Sequence, residues 1–78
     1  MKAKLYTKPT CPFCIRAKQL FDEKGISYED HDVSNDPELR AQVSASVGGF
    51  RTVPMIFLDD EFVGGFSDLQ ALNTAGKL

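Results

Sequence analysis

Along this chain the spacing of apolar and polar positions changes several times, and each change marks an element. Ala3 to Thr7 reads as a first strand, with Leu5 turned toward the core. From Ile15 to Lys24 the apolar residues Ala17, Leu20 and Phe21 fall on one face of a helix. Pro12 sits in its first turn, where a missing N–H has no partner to lose, and Gly25 is the residue that ends it. Ile26 to Val33 predicts a second strand, polar enough in Glu29-Asp30-His31-Asp32 to lie at a sheet edge. Asn35-Asp36-Pro37 opens the next helix, with Asp36 as cap and Pro37 in the first turn. Leu39, Val43 and Val47 mark its buried stripe, and Gly48-Gly49 ends it. Pro54-Met55-Ile56-Phe57-Leu58 is a nearly continuous apolar run, the pattern of a central strand covered on both faces. Asp59-Asp60 makes a turn, Phe62-Val63 returns antiparallel, and Gly64-Gly65 breaks that strand. Ser67-Asp68-Leu69-Gln70 reads as a capping box opening a last helix, with Leu69 and Leu72 facing inward. The order is βαβαββα, an α/β chain whose first two strands should run parallel.

Composition narrows the setting. With 78 residues the chain forms a single domain, residues 1–78, and a 42% apolar content is enough for a modest core. Met1-Lys2-Ala3-Lys4 leads into the first strand without an apolar run of signal-peptide length. No stretch approaches the roughly 20 apolar residues of a membrane span. The expectation is a cytoplasmic protein, in a reducing compartment and away from the membrane. The net charge of −2 hides an asymmetry: Lys2, Lys4, Lys8, Arg16 and Lys18 precede the first acid, Asp22. A basic surface there would attract an anionic small molecule or an acidic partner. For Lys2, Lys4 and Lys18 a merely solvated face is the stronger reading. The balance is too acidic and the basic residues too scattered for nucleic-acid binding.

The candidate chemistry lies in Thr10-Cys11-Pro12-Phe13-Cys14, which holds both cysteines of the chain. The first N–H groups of a helix lack partners, and its aligned dipoles favour negative charge there. A thiol in such a place ionises with a pKa of roughly 3.5–7.5 instead of about 8.5. Cys11, at the tip, is the expected nucleophile, with Lys8 and Arg16 near enough in sequence to assist. Cys14 lies one turn on and on the same side, so it can reach back and leave a Cys11–Cys14 disulfide.

Other uses of the pair fit less well. A structural disulfide closing so short a loop would constrain little of the unfolded chain. A structural zinc site needs about four ligands, and only His31 joins the two thiols. A cysteine-protease arrangement needs a histidine beside Cys11, whereas His31 stands among acids on the second strand. An iron–sulfur cluster shared by two copies of the chain stays open, whereas a binding module with idle cysteines fits least.

Taken together, Tyr6-Thr7-Lys8, the Cys-Pro-Phe-Cys motif, Thr52-Val53-Pro54-Met55-Ile56-Phe57, Gly64-Gly65 and Ser67-Asp68-Leu69 resemble a glutaredoxin of the small dithiol kind, nearly end to end. The resemblance implies a thioredoxin-like fold, a four-stranded mixed sheet flanked by three helices. It implies glutathione as reductant and co-substrate, with no bound metal, and a monomer. It also implies a cis Val53–Pro54 peptide, with the backbone of Val53 pairing the cysteine moiety of glutathione. Phe66 and Ser67 would offer N–H groups to the γ-glutamyl carboxylate, an ordinary helix N-terminal anion site. Gly65 would permit close approach, and Asp68 would pair with the γ-glutamyl amino group. Lys8, with help from Arg51, would meet the glycine-end carboxylate. Thr52, Pro54 and Phe13 complete the implied site.

Three positions depart from the family's common pattern. Phe13 replaces a tyrosine, Phe66 a small residue or an extra cysteine, and Ser67 an aspartate. The function this implies is glutathione-dependent reduction of protein disulfides and glutathione mixed disulfides, serving redox homeostasis and electron transport. Two alternatives are kept: an electron donor to ribonucleotide reductase recharged by thioredoxin reductase, and a glutathione-ligated iron–sulfur carrier. Pro12 argues against the carrier, since cluster-binding members more often have a smaller residue there.

Overall fold

A computed structural model describes all 78 residues. Strand β1 (Lys2–Thr7) sends alternate side chains to opposite faces, so Ala3, Leu5 and Thr7 are buried while Lys4 and Tyr6 are half-exposed. Helix α1 (Pro12–Lys24) lays Ala17, Leu20 and Phe21 onto that inner face together with Cys14. It stops at Gly25, whose φ of 67° suits glycine and frees its N–H to reach the Phe21 and Asp22 carbonyls. Strand β2 (Ser27–Asp32) then pairs parallel with β1, Leu5 opposite Asp30 and Thr7 opposite Asp32.

Helix α2 (Pro37–Ser46) begins as expected, Asp36 Oδ1 accepting the Leu39 N–H at 3.0 Å. Its stripe is shallower than the pattern suggests: Val43 is buried, but Leu39 and Val47 are only half-buried. Strand β3 (Met55–Leu58) runs antiparallel to β1 and to β4 (Glu61–Gly64). The β3–β4 turn places Asp59 and Asp60 at positive φ, 48° and 67°, the backbone that a two-residue hairpin requires. The strand order is β2-β1-β3-β4, so β2 is an edge and β3 is central.

Helix α3 (Phe66–Thr74) starts earlier than the Ser67–Gln70 pattern predicts. Gly65 is the cap residue, and Asp68, not Gln70, reaches back to accept its N–H at 3.0 Å. Helices α1 and α3 share one core with the sheet, built from Leu5, Phe21, Ile56, Leu58 and Leu69 among others. The opposite face carries an aromatic chain, Tyr6 to Phe57 to Phe62 to Phe50, with ring centroids 5.1–5.9 Å apart. The expected four-stranded mixed sheet with three helices is therefore present. No helix is long and apolar enough to cross a membrane.

Phe21 is fully buried where α1 meets the sheet, whereas Ile15 on the same helix is 45% exposed. Phe21→Ala should cost about 3–5 kcal/mol in denaturant unfolding. Ile15→Ala should stay within about 0.5 kcal/mol.

Candidate active site at the start of helix α1

Strand β1 ends at Thr7, and Lys8-Pro9-Thr10 carries the chain to Cys11, which caps α1 in an extended conformation (φ −86°, ψ 117°). The Cys11 N–H donates to the Lys8 carbonyl at 3.2 Å, closing that turn. Pro12 takes the first helical position, as the sequence indicates. The two thiols then meet opposite surroundings. Cys11 is partly exposed and Cys14 wholly buried.

Desolvation works to raise the Cys11 pKa, but other influences outweigh it and hold the thiol below its ordinary value. They are the Cys14 N–H, the Cys14 S–H, the Phe13 N–H and the charge of Lys8. Burial pushes Cys14 the other way, up to about 11, aided by the neighbouring Cys11 sulfur and opposed by the Lys8 backbone and the charge of Lys18. Cys11 is thus the thiol that ionises more readily and Cys14 the one that holds its proton more tightly. Arg16 does not join in stabilising Cys11: its guanidinium lies over the Phe13 ring, 5.8 Å from the centroid.

Opposite Cys11 stands the loop before β3. The Val53–Pro54 peptide is cis, and the Val53 carbonyl accepts the Cys11 S–H at 3.7 Å. Val53 makes no backbone hydrogen bond, so its N–H has no protein partner. Helix α2 fixes this loop. Ser44 Oγ donates to the Phe50 carbonyl at 2.5 Å and Arg40 Nη2 to the Arg51 carbonyl at 3.0 Å.

Between that loop and the start of α3 lies a cleft of about 340 Å³. Phe13, Thr52, Val53, Pro54, Gly65, Phe66, Ser67 and Asp68 all line it. Lys8 does not; it adjoins Cys11 and acts on it through charge. Arg51 is also outside the lining: it is exposed, and its carbonyl is engaged by Arg40. Phe50 lines the cleft although nothing in the sequence points to it, because an aromatic after Gly48-Gly49 carries no local signal of its direction. Its ring packs edge-on against Phe62 at 5.1 Å. Of the two glycines, Gly64 is the one the protein itself demands. Its φ is 124°, and an added Cβ would collide with the Asp68 carboxylate, whereas at Gly65 it would meet Phe50 at an ordinary 3.5 Å.

Phe66 leans toward Phe13 with centroids 6.2 Å apart, so two aromatic rings wall the open side. The N–H groups of Phe66 and Ser67 lie in the first turn of α3 and have no intrahelical acceptor. The cleft therefore joins apolar walls to free backbone donors, beside a sulfur poised to ionise. His31 lies elsewhere, stacked on Tyr6 at 5.1 Å and 3.2 Å from Glu29 Oε2.

The glutaredoxin family model matches residues 3–63. The chain is 43% identical over 77 residues to a probable glutaredoxin of Synechocystis sp., covering 99% of this chain and 88% of that one. Among solved structures, it is similar to the solution structure of glutaredoxin from Brucella melitensis, with a TM-score of 0.84 and 43% identity. That match covers 99% of this chain and 83% of the other. The crystal structure of a buckwheat glutaredoxin–glutathione complex is similar at a TM-score of 0.89 and 29% identity, covering 97% of this chain and 71% of that one.

Iodoacetamide titration of the reduced protein should show one thiol, Cys11, alkylated with a midpoint below the ordinary thiol value of about 8.5. Cys14 should react only as the pH nears its raised value of about 11. Cys14→Ala removes the S–H donor to Cys11 and should move the Cys11 midpoint upward.

Proposed function

The chain belongs to the glutaredoxin family of thiol oxidoreductases, with their thioredoxin-like fold, and we propose that it is a glutathione-dependent reductant of protein disulfides and of glutathione mixed disulfides. The observation that carries this reading is the partly exposed, acidified Cys11 thiol 3.7 Å from the Val53 carbonyl, at the side of a cleft with free backbone donors. A neighbouring fold bound to glutathione supports the choice of reductant.

The reaction follows from the two thiols. The Cys11 thiolate attacks one sulfur of the substrate disulfide, a mixed disulfide forms on Cys11, and the other sulfur leaves as a thiolate that takes up a proton. With a glutathionylated substrate the glutathionyl half stays on Cys11. A second glutathione thiolate then attacks it, giving glutathione disulfide and restoring Cys11. With a protein disulfide, Cys14 loses its proton and attacks Cys11. The Cys11–Cys14 disulfide forms and the substrate's second sulfur leaves reduced. Two glutathione molecules regenerate the dithiol, themselves becoming glutathione disulfide, which glutathione reductase and NADPH return to the thiol.

Each glutathione contact has a physical basis in this chain. The Val53 N–H has no partner and its C=O is met only by the Cys11 S–H, an edge suited to the peptide's cysteine moiety, as an added strand would be. The first N–H groups of α3, on Phe66 and Ser67, suit the γ-glutamyl carboxylate. Asp68 uses Oδ2 to hold the Gly65 N–H, leaving Oδ1 for the γ-glutamyl ammonium. Lys8 is the cation for the glycine-end carboxylate, and Arg51, facing solvent, has the smaller part. Phe13 and Phe66 supply apolar walls without hydroxyl or carboxylate groups.

In a coupled assay with glutathione, glutathione reductase, NADPH and a small glutathione mixed disulfide, Cys11→Ser should abolish turnover. Cys14→Ser should retain that activity and lose reduction of a protein disulfide. Absence of turnover by the unaltered protein with glutathione, but rapid reduction by thioredoxin reductase, would overturn the choice of reductant. Asp68→Asn keeps an acceptor for Gly65 but loses the charge. It should raise the KM for glutathione about tenfold, the loss of one charge-assisted bond, with little change in unfolding midpoint.

A further inference from the structure

Cys14 has to lose a proton before it can attack Cys11, and its burial opposes that. The surrounding charges change during the reaction. In the reduced protein the Cys11 sulfur adds to the difficulty and Lys18 relieves it. Once Cys11 is bonded to a substrate sulfur it carries no charge. Of the two charges that act on Cys14 in the reduced protein, Cys11 and Lys18, Lys18 is then the one left, Lys8 acting through its backbone.

Lys18 is placed for this by the helix and held there by the sheet. It follows Cys14 by four residues on α1, a spacing that brings side chains to about 5–6 Å between Cβ atoms. Helical side chains lean toward the preceding turn, so the Lys18 stem leans toward Cys14. It is three-quarters buried, and its Nζ lies 2.5 Å from Asp30 Oδ2 on β2. Asp30 is fixed in turn by the buried Thr7 hydroxyl, which donates to Oδ1 at 2.5 Å. Thr7 precedes Lys8, whose backbone N–H reaches the Cys14 sulfur. Thus β1, β2 and α1 meet around one cation beside the resolving cysteine. The groups acting on Cys14 are Cys11 at the cap of α1, Lys18 on α1 and Lys8 on the preceding loop. Behind Lys18 stand Asp30 and Asp32 on β2, whereas the one acid in the first turn of α3, Asp68, is turned to Gly65.

On the premise that Cys14 resolves mixed disulfides, we propose that Lys18, anchored by Asp30 and Thr7, supplies the positive charge against which Cys14 ionises in the resolving step. Lys18 touches no reacting sulfur and acts through Cys14, so it is a positioning residue. The bonds exchanged are those of the protein-disulfide route: Cys14 gives its proton to solvent, its thiolate displaces the substrate sulfur from Cys11, and that sulfur is protonated as it leaves. Without Lys18 a smaller fraction of Cys14 is thiolate at neutral pH. A more basic thiolate is also more nucleophilic, which returns part of the loss. For a tenfold fall in thiolate the net slowing is about threefold.

The test is rapid mixing of reduced protein with glutathione disulfide across pH 6–10, following formation of the mixed disulfide and then release of the second glutathione as Cys14 closes on Cys11. Lys18→Gln should slow that second release about threefold at pH 7 and shift its plateau to higher pH. Lys18→Arg should restore both. The first step, measured in a Cys14→Ser background, should run at the same rate with and without Lys18→Gln, because Cys11 does not depend on this charge. A role of Lys18 in folding alone would change the unfolding midpoint and leave the pH profile in place, which would count against the inference. Superimposable resolving profiles for Lys18→Gln and the unaltered protein would overturn it. Failure of the unaltered protein to release a second glutathione would instead overturn the dithiol route on which it rests.

Discussion

The peptide N–H groups of Phe13 and Cys14 have no acceptor inside α1, because they lie in its first turn, and the Cys11 sulfur is the group they stabilise. That relation works only if the helix start is held still. Cys14, Ala17, Leu20 and Phe21 hold it, a buried face that presses α1 onto β1 and β3. Cys14 belongs to both arrangements: it is the first core residue of the helix and also an N–H and S–H donor to Cys11. Burial that makes it a good anchor also makes it a poor acid. The two thiols therefore differ first through burial and backbone donors, with the charges of Lys8 and Lys18 adding to the difference.

The second half of the chain builds a wall facing this tip. The loop from Gly48 to Pro54 has no regular structure of its own, yet it carries Phe50, Thr52 and Val53 into the cleft. Ser44 and Arg40 on α2 bind its carbonyls, so the modestly buried α2 acts less as a core element than as a brace. Its half-buried Leu39 and Val47 fit that part. On the other rim, Gly64 and Asp68 form an interlocked corner, since the missing Cβ of Gly64 leaves room that the Asp68 carboxylate fills. One carboxylate thereby sets the entry of α3 and lines the cleft.

What the sequence reveals, and what it hides, divides along the range of the interactions. Strands, helices and their order are legible because period, glycine stops and the Asp36 cap are local signals. The placement of Cys11 and Cys14 is legible for the same reason, as Pro12 and the apolar period mark the start of the helix that carries them. The start of α3 is where local pattern misleads. Ser67 has the right side chain for a cap, but the backbone turns earlier, at Gly65, and Asp68 supplies the return bond. Arg16 looks like an aid to Cys11 in sequence, whereas helical geometry sends it over Phe13. Phe50 and the outward place of Arg51 depend on how α2 tethers a loop, which no local pattern encodes.

Lys18 is the plainest case of a residue whose meaning is tertiary. In sequence it belongs to a scattered basic segment and reads as solvated. In the fold its charge is drawn in by Asp30, which reaches α1 only because β2 runs parallel to β1 and shows Tyr28 and Asp30 on the helix side. A cation held on the buried side of α1 acts on Cys14 and not among the influences that acidify Cys11, where Lys8 is the charge that counts. The fold thus sets a different lysine charge on each thiol, Lys8 on Cys11 at the open tip and Lys18 on Cys14 at the sheet. Separate charges let the two steps be tuned apart, since a change at one lysine need not alter the acidity of the other sulfur.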